Sequence, residues 1–331
     1  MNILGIESTA HTFGVGIITN KGKVLSNEKD SYTSKDAGMI LDEVTLHHKT
    51  VAEKVFKTAL KEAKLDWDDV DLISYSAGPG LDPCLWFGYH FAKDLSQKYN
   101  KKLVGVNHCC AHLSIGKVFN KLKDPCYLYV SGVNTQIIVF EEGKYRIIGE
   151  TLDIGLGNLL DKFGRTIGLG FPAGQEIEKL AKKGTYVELP YTVKGMDMSF
   201  SGILTKCQQI FERKTTHKDS DDAITKEDLC FSIQETCFAM LAEVVERAMA
   251  HTGKKELLLV GGVGANKRFC EMLDLMCKER GAKFHKVPMD LAGDQGAMIA
   301  WEGFLRMKDY GDEEVIPHWR TDEVWYLTPL N

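Results

Sequence analysis

Two stretches of this chain are built on one plan. Asn2–Glu7 is apolar and runs into the small polar loop Ser8-Thr9-Ala10; an alternating segment, Gly14–Thr19, follows, then the turn Asn20-Lys21-Gly22 and a third extended run, Val24–Asn27. The plan returns further along: Tyr127–Ser131, the loop Gly132-Val133-Asn134, Gln136–Phe140, the turn Glu141-Glu142-Gly143, and Tyr145–Glu150. Strand, polar loop, strand, glycine turn, strand is the grammar of hairpins. Its use twice constrains the chain to a duplicated fold of two lobes with a cleft between them.

Helical periodicity fills the intervals. Val44–Ala63 places Val44, Val51, Ala52, Val55, Phe56, Ala59, Leu60 and Ala63 on one stripe, which predicts a helix packed on the first sheet. Leu72–Ser76 reads as a strand, Ala77–Pro83 as a Pro/Gly loop, Leu85–Tyr99 as a helix, Leu103–Val106 as a buried strand and Ala111–Phe119 as a short helix. In the second half Leu159–Ile167, Gln175–Lys182 and Leu229–Ala250 read as helices, Leu257–Val260 as a strand, and a further helix starts at Asn266. Interleaved strands and helices define an α/β class. The division expected is a first lobe over 1–124 and a second over 125–331, with a charged, poorly periodic insertion near 212–228.

Composition narrows the function. With 331 residues, 44% of them hydrophobic and 26% charged, the chain has apolar material for two cores. The longest strongly apolar stretch, Leu257–Ala265, contains three glycines and is far too short to span a bilayer, and the N-terminus carries no signal-peptide pattern; a cytoplasmic setting is expected. Nine cysteines without any Cys-x-x-Cys argue against a disulfide framework and a thiolate zinc site. A net charge of −5 gives no average field toward a phosphate backbone. Nucleic-acid binding would need a local patch, such as Lys101-Lys102, Lys182-Lys183 or Lys254-Lys255, or a partner.

The candidate chemistry is spread along the chain. His108 and His112 stand four apart, so a helix would stack both imidazoles on one face, as a shared metal requires. As a bare pattern this is weak, and two packed or surface histidines are the plainer reading. Cys109 occupies the place of the general-base Glu of a zincin, so peptidase chemistry is disfavoured. Asp294, taken alone, reads as the N-cap of the apolar helix Met298–Phe304. Gly261-Gly262-Val263-Gly264-Ala265-Asn266 joins a strand to a helix and is either a tight turn or a cradle of N–H groups for an anion. Gly168-x-Gly170-x-x-Ala173 follows a helix and contains Pro172, so it fails as a dinucleotide fingerprint, and no P-loop pattern occurs. Glu7, Asp161 and Glu178 are carboxylates in small-residue surroundings. Glu7 ends the first strand, where two-lobed folds place an acid that handles a metal or water.

Taken in order, the motifs are specific. Gly5-Ile6-Glu7-Ser8-Thr9-Ala10, Gly78-Pro79-Gly80-Leu81, Val106-Asn107-His108-Cys109 with Ala111-His112, Tyr129-Val130-Ser131-Gly132 with Asn134-Thr135-Gln136, Gly149-Glu150-Thr151-Leu152-Asp153, Lys194-Gly195-Met196-Asp197 with Phe200-Ser201-Gly202, Val260-Gly261-Gly262-Val263 with Ala265-Asn266, and Gly296-Ala297-Met298-Ile299-Ala300 resemble the TsaD-type tRNA N6-adenosine threonylcarbamoyltransferases almost from end to end. The likeness is to the archaeal and eukaryotic branch, the catalytic subunit of the KEOPS complex.

This resemblance implies an ASKHA (actin/Hsp70/sugar-kinase-like) fold. It implies one divalent metal, iron or zinc, held by His108, His112, Tyr129 and Asp294, with Glu7, His108 and His112 as the catalytic set. It implies an adenine nucleotide or threonylcarbamoyl-adenylate against Asp161, Gly174, Glu178 and Asn266, with Ser131, Gly132, Val133 and Asn134 near its phosphate and carbamoyl groups. The implied reaction moves threonylcarbamoyl to the exocyclic amine of the adenosine beside the anticodon, in tRNAs reading ANN codons, with loss of AMP. The partners implied are tRNA, held mainly by other subunits, a small kinase-like ATPase and a dimerising subunit.

The chain departs from the usual motifs in several places. Asp82 stands for a Gly and Trp86 for an Arg; Ser114 stands for a Glu; Val133 stands for a Gly; Ala173-Gly174-Gln175 replaces Gly-Gly-Pro; Gln295 replaces Asn. A β-branched residue at 133 fits badly at positive φ and hinders close backbone approach to a ligand. Trp86 and Ser114 together read as a cleft ion pair removed as a unit. These departures predict reduced turnover or dependence on the chain's own partners. The competing readings are a non-catalytic actin-like scaffold in a KEOPS-type complex and an ASKHA phosphotransferase, for which paired histidines are not needed.

Overall fold

A computed structural model describes residues 1–34, 39–216 and 224–327. The strands β1 (Asn2–Glu7), β2 (Thr12–Thr19) and β3 (Val24–Ser31) form an antiparallel meander, followed by α1 (Leu41–Ala63), β4 (Leu72–Gly78), α2 (Asp82–Tyr99) and β5 (Lys102–Asn107). β4 and β5 join in parallel on the other side of β1, giving the order β3-β2-β1-β4-β5.

α3 (His108–Phe119) leads to the second sheet. Its elements are β6 (Cys126–Val130), β7 (Thr135–Glu141), β8 (Lys144–Glu150), α4 (Leu156–Thr166), α5 (Gly174–Ala181), the ribbon β9 (Val193–Lys194) and β10 (Asp197–Met198), α6 (Ser201–Thr216), α7 (Lys226–Thr252), β11 (Glu256–Val260), α8 (Lys267–Glu279), β12 (Lys283–Lys286), α9 (Met289–Ala292) and α10 (Gly296–Arg306). The second sheet runs β12-β11-β6-β7-β8, with β11 and β12 parallel to β6. Element for element, this is the first sheet's topology again. The hairpin grammar read from sequence therefore marks a true duplication.

Side-chain alternation explains why these strands are apolar on both faces. On β1, Leu4 and Ile6 enter the core with Ala52, Val55 and Phe56 of α1, while Ile3 packs on the opposite face with Met298, Ile299 and Ala300 of α10. A strand covered by helices on both sides reads as a continuous hydrophobic run. The second lobe repeats this with Leu128, Val139, Phe163, Phe238 and Phe269 in one core.

α10 lies late in the chain but packs on the first sheet. It approaches so closely that a Cβ on Gly16 would sit 2.1 Å from the Ala297 amide nitrogen, and one on Gly5 2.2 Å from that of Ala300. Glycine is required there because the helix backbone rests directly on the strands. The same contact sets the height of the turn before α10, which carries Asp294.

Within the segment 212–228, residues up to Thr216 belong to α6 and those from Lys226 to α7, whose N-terminus is a Thr225/Asp228 capping box; residues 217–223 lie outside the described residues. β12, the ribbon and α6 are elements the sequence pattern does not announce.

Candidate functional site

β5 ends at Asn107, and the chain turns directly into α3. The Asn107 Oδ1 accepts the Cys110 N–H at 3.0 Å, an N-cap, while its Nδ2 donates to the Trp319 carbonyl at 3.1 Å. The helix thus starts at His108, earlier than periodicity indicated, and both histidines lie on it. Their rings meet edge to face with centroids 4.7 Å apart.

Asp294 completes the group. Its Oδ1 lies 3.3 Å from the His112 Nε2 and 3.6 Å from the His108 Nε2. One donor atom from each of the three residues falls within 4.8 Å of the others. Donors bound at about 2 Å to one tetrahedral ion sit roughly 3.3 Å apart, close to the distance of Asp294 from each histidine. Asp294 is not the cap of α10, as the sequence alone suggested: Gln295 takes that place, its Oε1 accepting the Met298 N–H at 3.0 Å. Moving the cap one residue on leaves the Asp294 carboxylate for the histidines.

Tyr129, near the end of β6, lies beside His112. Its ring lies 5.3 Å from that of His112. Its hydroxyl is buried without a hydrogen bond of normal geometry, and Ser131 and Cys109 are the polar side chains within its reach. A buried hydroxyl without a partner is costly and calls for an explanation. Two imidazoles and a carboxylate within 4.8 Å of one another, with a partnerless buried phenol on the ring beside His112, fit a divalent cation of the transition series.

Electrostatics distinguish the members. Burial opposes charge on the His108 ring, but the Glu7 carboxylate, by charge and hydrogen bond, and Asp294 outweigh it and lift the imidazole to about 9. Burial lowers His112 despite the hydrogen bond to Asp294. Burial works against an ionised Asp294, yet the hydrogen bond from His112 and the charges of both histidines hold it well below the usual carboxylate range. Burial raises the Tyr129 hydroxyl well above the ordinary phenol value, with Cys109 and Asp294 adding to the effect.

Glu7 stands behind this group and not in the open cleft. It is fully buried, with Oε2 2.9 Å from the His108 Nδ1 and Oε1 accepting both the Thr9 N–H at 2.7 Å and the Thr9 hydroxyl at 2.5 Å. Both oxygens are thus engaged by protein.

The second lobe supplies the remaining residues. The Ser131–Asn134 loop is a tight turn: the Ser131 N–H donates to the Asn134 carbonyl at 2.8 Å, and the Asn134 N–H to the Ser131 Oγ at 3.1 Å. Its outer carbonyls receive the first amides of α4, from Gly157 to Ser131 and from Asn158 to Gly132. Asn134 also reaches α3, Nδ2 to the Cys109 Sγ at 3.6 Å. Asp161 on α4 accepts the Ala173 N–H at 2.8 Å and so holds the start of α5, where a Cβ on Gly174 would meet open space. Asn266 caps α8 through its Oδ1 and donates from Nδ2 to the buried Gln234 at 2.6 Å, and Glu178 accepts the Lys267 N–H at 3.0 Å. Gly261, at φ +93°, is the tight turn that brings this corner together. Gln234, which no sequence motif singled out, orients Asn266; a glutamine inside an apolar helix stripe was the available signal.

The departures are accommodated. Val133 is not among the positive-φ residues, and its side chain points outward, 68% exposed. The strain expected there is therefore absent: the turn closes through Ser131 and Asn134. Asp82 opens α2, where the helix dipole favours an acid. Trp86 stacks on His90 on the outer side of α2, whereas Ser114 is buried on α3 and bonds to the Ala111 carbonyl. The two occupy separate environments, which removes the expectation of a shared cleft ion pair. Of the paired lysines, Lys101, Lys102 and Lys254 are engaged by the Asp68 and Met307 carbonyls and by Asp124; Lys182, Lys183 and Lys255 are exposed.

A duplicated α/β fold of the ASKHA type, with a metal-capable His/His/Asp group where the lobes face, is the class that fold and site define. The fold is also that of the solved T. kodakarensis HypF, with a TM-score of 0.58 at 16% identity over 93% of this chain and 48% of that one. Residues 23–301 match the family model described as "TsaD: tRNA N6-adenosine threonylcarbamoyltransferase". The chain is 51% identical over 331 residues to the Thermococcus sibiricus tRNA N6-adenosine threonylcarbamoyltransferase, covering 98% of this chain and 99% of that protein. The Thermococcus kodakarensis protein of the same name is likewise 51% identical, with 98% of each chain covered. The chain belongs to the tRNA N6-adenosine threonylcarbamoyltransferase family.

Proposed function

We propose that this chain transfers threonylcarbamoyl from threonylcarbamoyl-adenylate to the exocyclic amine of the adenosine beside the anticodon, in tRNAs reading ANN codons, and releases AMP. The observation that carries the reading is the His108, His112, Asp294 group with the orphaned Tyr129 hydroxyl beside it. These four residues would hold one iron or zinc ion. Bound there, the ion supplies a Lewis acid for the carbamoyl and phosphate oxygens of the donor.

The chain's own residues do the rest. Glu7 fixes the His108 tautomer and aims its Nε2 at the metal position, so its role is positioning and not contact with substrate. Asp161, Gly174, Glu178 and Asn266 form the adenylate corner, and the Ser131–Asn134 loop brings Ser131, Gly132, Val133 and Asn134 toward the phosphate and carbamoyl end. An adenine amine is a weak nucleophile, so the arrangement acts on the electrophile. Burial of the histidines limits water, whose attack would waste the donor. A base in the anticodon loop is already unpaired, which lowers the cost of presenting it.

With a net charge of −5, tRNA is held mainly by partner subunits: a small kinase-like ATPase and a dimerising subunit of a KEOPS-type complex, in the cytoplasm. Among the described residues no helix is long and apolar enough to cross a membrane. The lobes divide as 1–124 and 125–331, with α10 as the clasp returning to the first. The non-catalytic scaffold is not favoured, because relatives at half identity are named as transferases. The test is transfer of radiolabelled threonylcarbamoyl to transcribed tRNA by the purified chain with its partners. Turnover is expected, with His112→Ala losing at least about 100-fold; no transfer by the unaltered chain would overturn the reading.

A further inference from the structure

His11 belongs to none of the motifs assigned above, yet its ring reaches from the first lobe to the second. It sits in the turn between β1 and β2, two residues after Thr9, and its carbonyl accepts the Tyr32 N–H at 2.8 Å, which fixes the turn. Its ring packs edge-on against Phe171 of the second lobe, centroids 5.6 Å apart. Phe171 is itself tied to the first lobe by two backbone hydrogen bonds with Ser34, at 2.8 and 3.3 Å. Immediately after Phe171 come Pro172, Ala173 and Gly174, the start of α5. A first-lobe imidazole is thus held at the entrance of the adenylate corner.

Two further observations orient it. The His11 ring is partly exposed, and among the described residues no hydrogen bond to either of its nitrogens occurs. Asp161 accepts the Ala173 N–H at 2.8 Å, two residues after Phe171, so the ring lies beside the residues that start α5. A partly exposed hydrogen-bond donor that no protein group occupies, held beside the start of α5, is available to an anion entering there. In the donor molecule the group between the adenosine and the carbamoyl is the phosphate.

We propose that His11 donates a hydrogen bond to the adenylate phosphate of the donor and of the departing AMP. The proposal rests on the transferase reading above. As the adenine amine forms its N–C bond to the carbamoyl carbon, the C–O bond to phosphate breaks and both its electrons leave with the phosphate oxygen. The amine proton goes to solvent. The leaving oxygen gains negative charge, and a fixed N–H beside it stabilises that change more than the ground state.

Calorimetric titration of the full chain with AMP and with adenosine tests this. The unaltered chain is expected to bind both. His11→Ala is expected to weaken AMP about tenfold, close to 1.4 kcal/mol, and to leave adenosine and the melting temperature unchanged. His11→Gln, which keeps an N–H donor, is expected to stay within about threefold of the unaltered chain. Unchanged AMP affinity in His11→Ala, or equal losses for AMP and adenosine, would overturn the role of His11 while leaving the transferase reading intact. An unaltered chain that binds neither ligand would overturn both.

Discussion

The Glu7 carboxylate and the His108 imidazole form a buried pair, 2.9 Å from Oε2 to Nδ1, with the opposite ring nitrogen turned toward Asp294. A carboxylate behind a histidine is the arrangement that fixes a metal ligand's tautomer and raises its basicity. Glu7→Gln keeps the shape and removes the charge. It is expected to lower iron or zinc affinity by about 10–100-fold, read by chelator competition, without unfolding the chain. Unaltered affinity would show that Glu7 does not act through His108.

Much of this was legible in residue order. Period-two alternation, glycine turns and a helical stripe on α1 sufficed for the duplicated sheets, because each element's apolar face matches its burial. The site was legible only in part. Four-residue spacing aligns His108 with His112, but nothing local links them to Asp294, which is brought by α10 crossing back to the first sheet. That crossing is encoded in Gly5, Gly16 and Gly296, three small residues whose common purpose emerges only when the backbones meet. β12, a charged four-residue edge strand, has no periodicity to read. The resemblance to the family supplied what spacing lacked.

The closeness of α10 to the sheet gives a stability prediction. A methyl group on Gly16 would lie 2.1 Å from one backbone atom of α10 and 2.6 Å from two others, and none of them can rotate away. Gly16→Ala should cost about 3 kcal/mol or more in urea unfolding, as overpacking against backbone does. It should also weaken metal binding, because Asp294 moves with the helix. A loss below about 1 kcal/mol would mean that α10 is free to lift.

His48, fully buried on α1 against Phe13 and Phe87, predicts a pH dependence. Burial, with the neighbouring charge of His47, lowers its ring from 6.5 to about 4. The unfolded chain therefore takes up this proton near 6.5 and the folded chain only near 4, so protonation favours unfolding. The contribution of neutral His48 is complete above pH 6.5 and is lost progressively down to about pH 4, about 3 kcal/mol in all. His48→Leu should flatten the stability curve across that window. A curve of unchanged slope in the variant would assign the pH dependence to other groups.

Gly174 separates binding from folding. It is the first residue of α5, and a side chain there projects into open space and not into a neighbour. If that space is the adenylate corner, Gly174→Val should leave the melting temperature within about 2 °C of the unaltered chain, since the change removes no packing. AMP affinity should fall at least about tenfold, because the isopropyl group occupies the ligand's volume. Calorimetric titration reads the affinity and a thermal melt reads the fold. AMP binding that survives the substitution would place the nucleotide elsewhere in the cleft, and with it the group of Asp161, Glu178 and Asn266 would lose its assigned ligand.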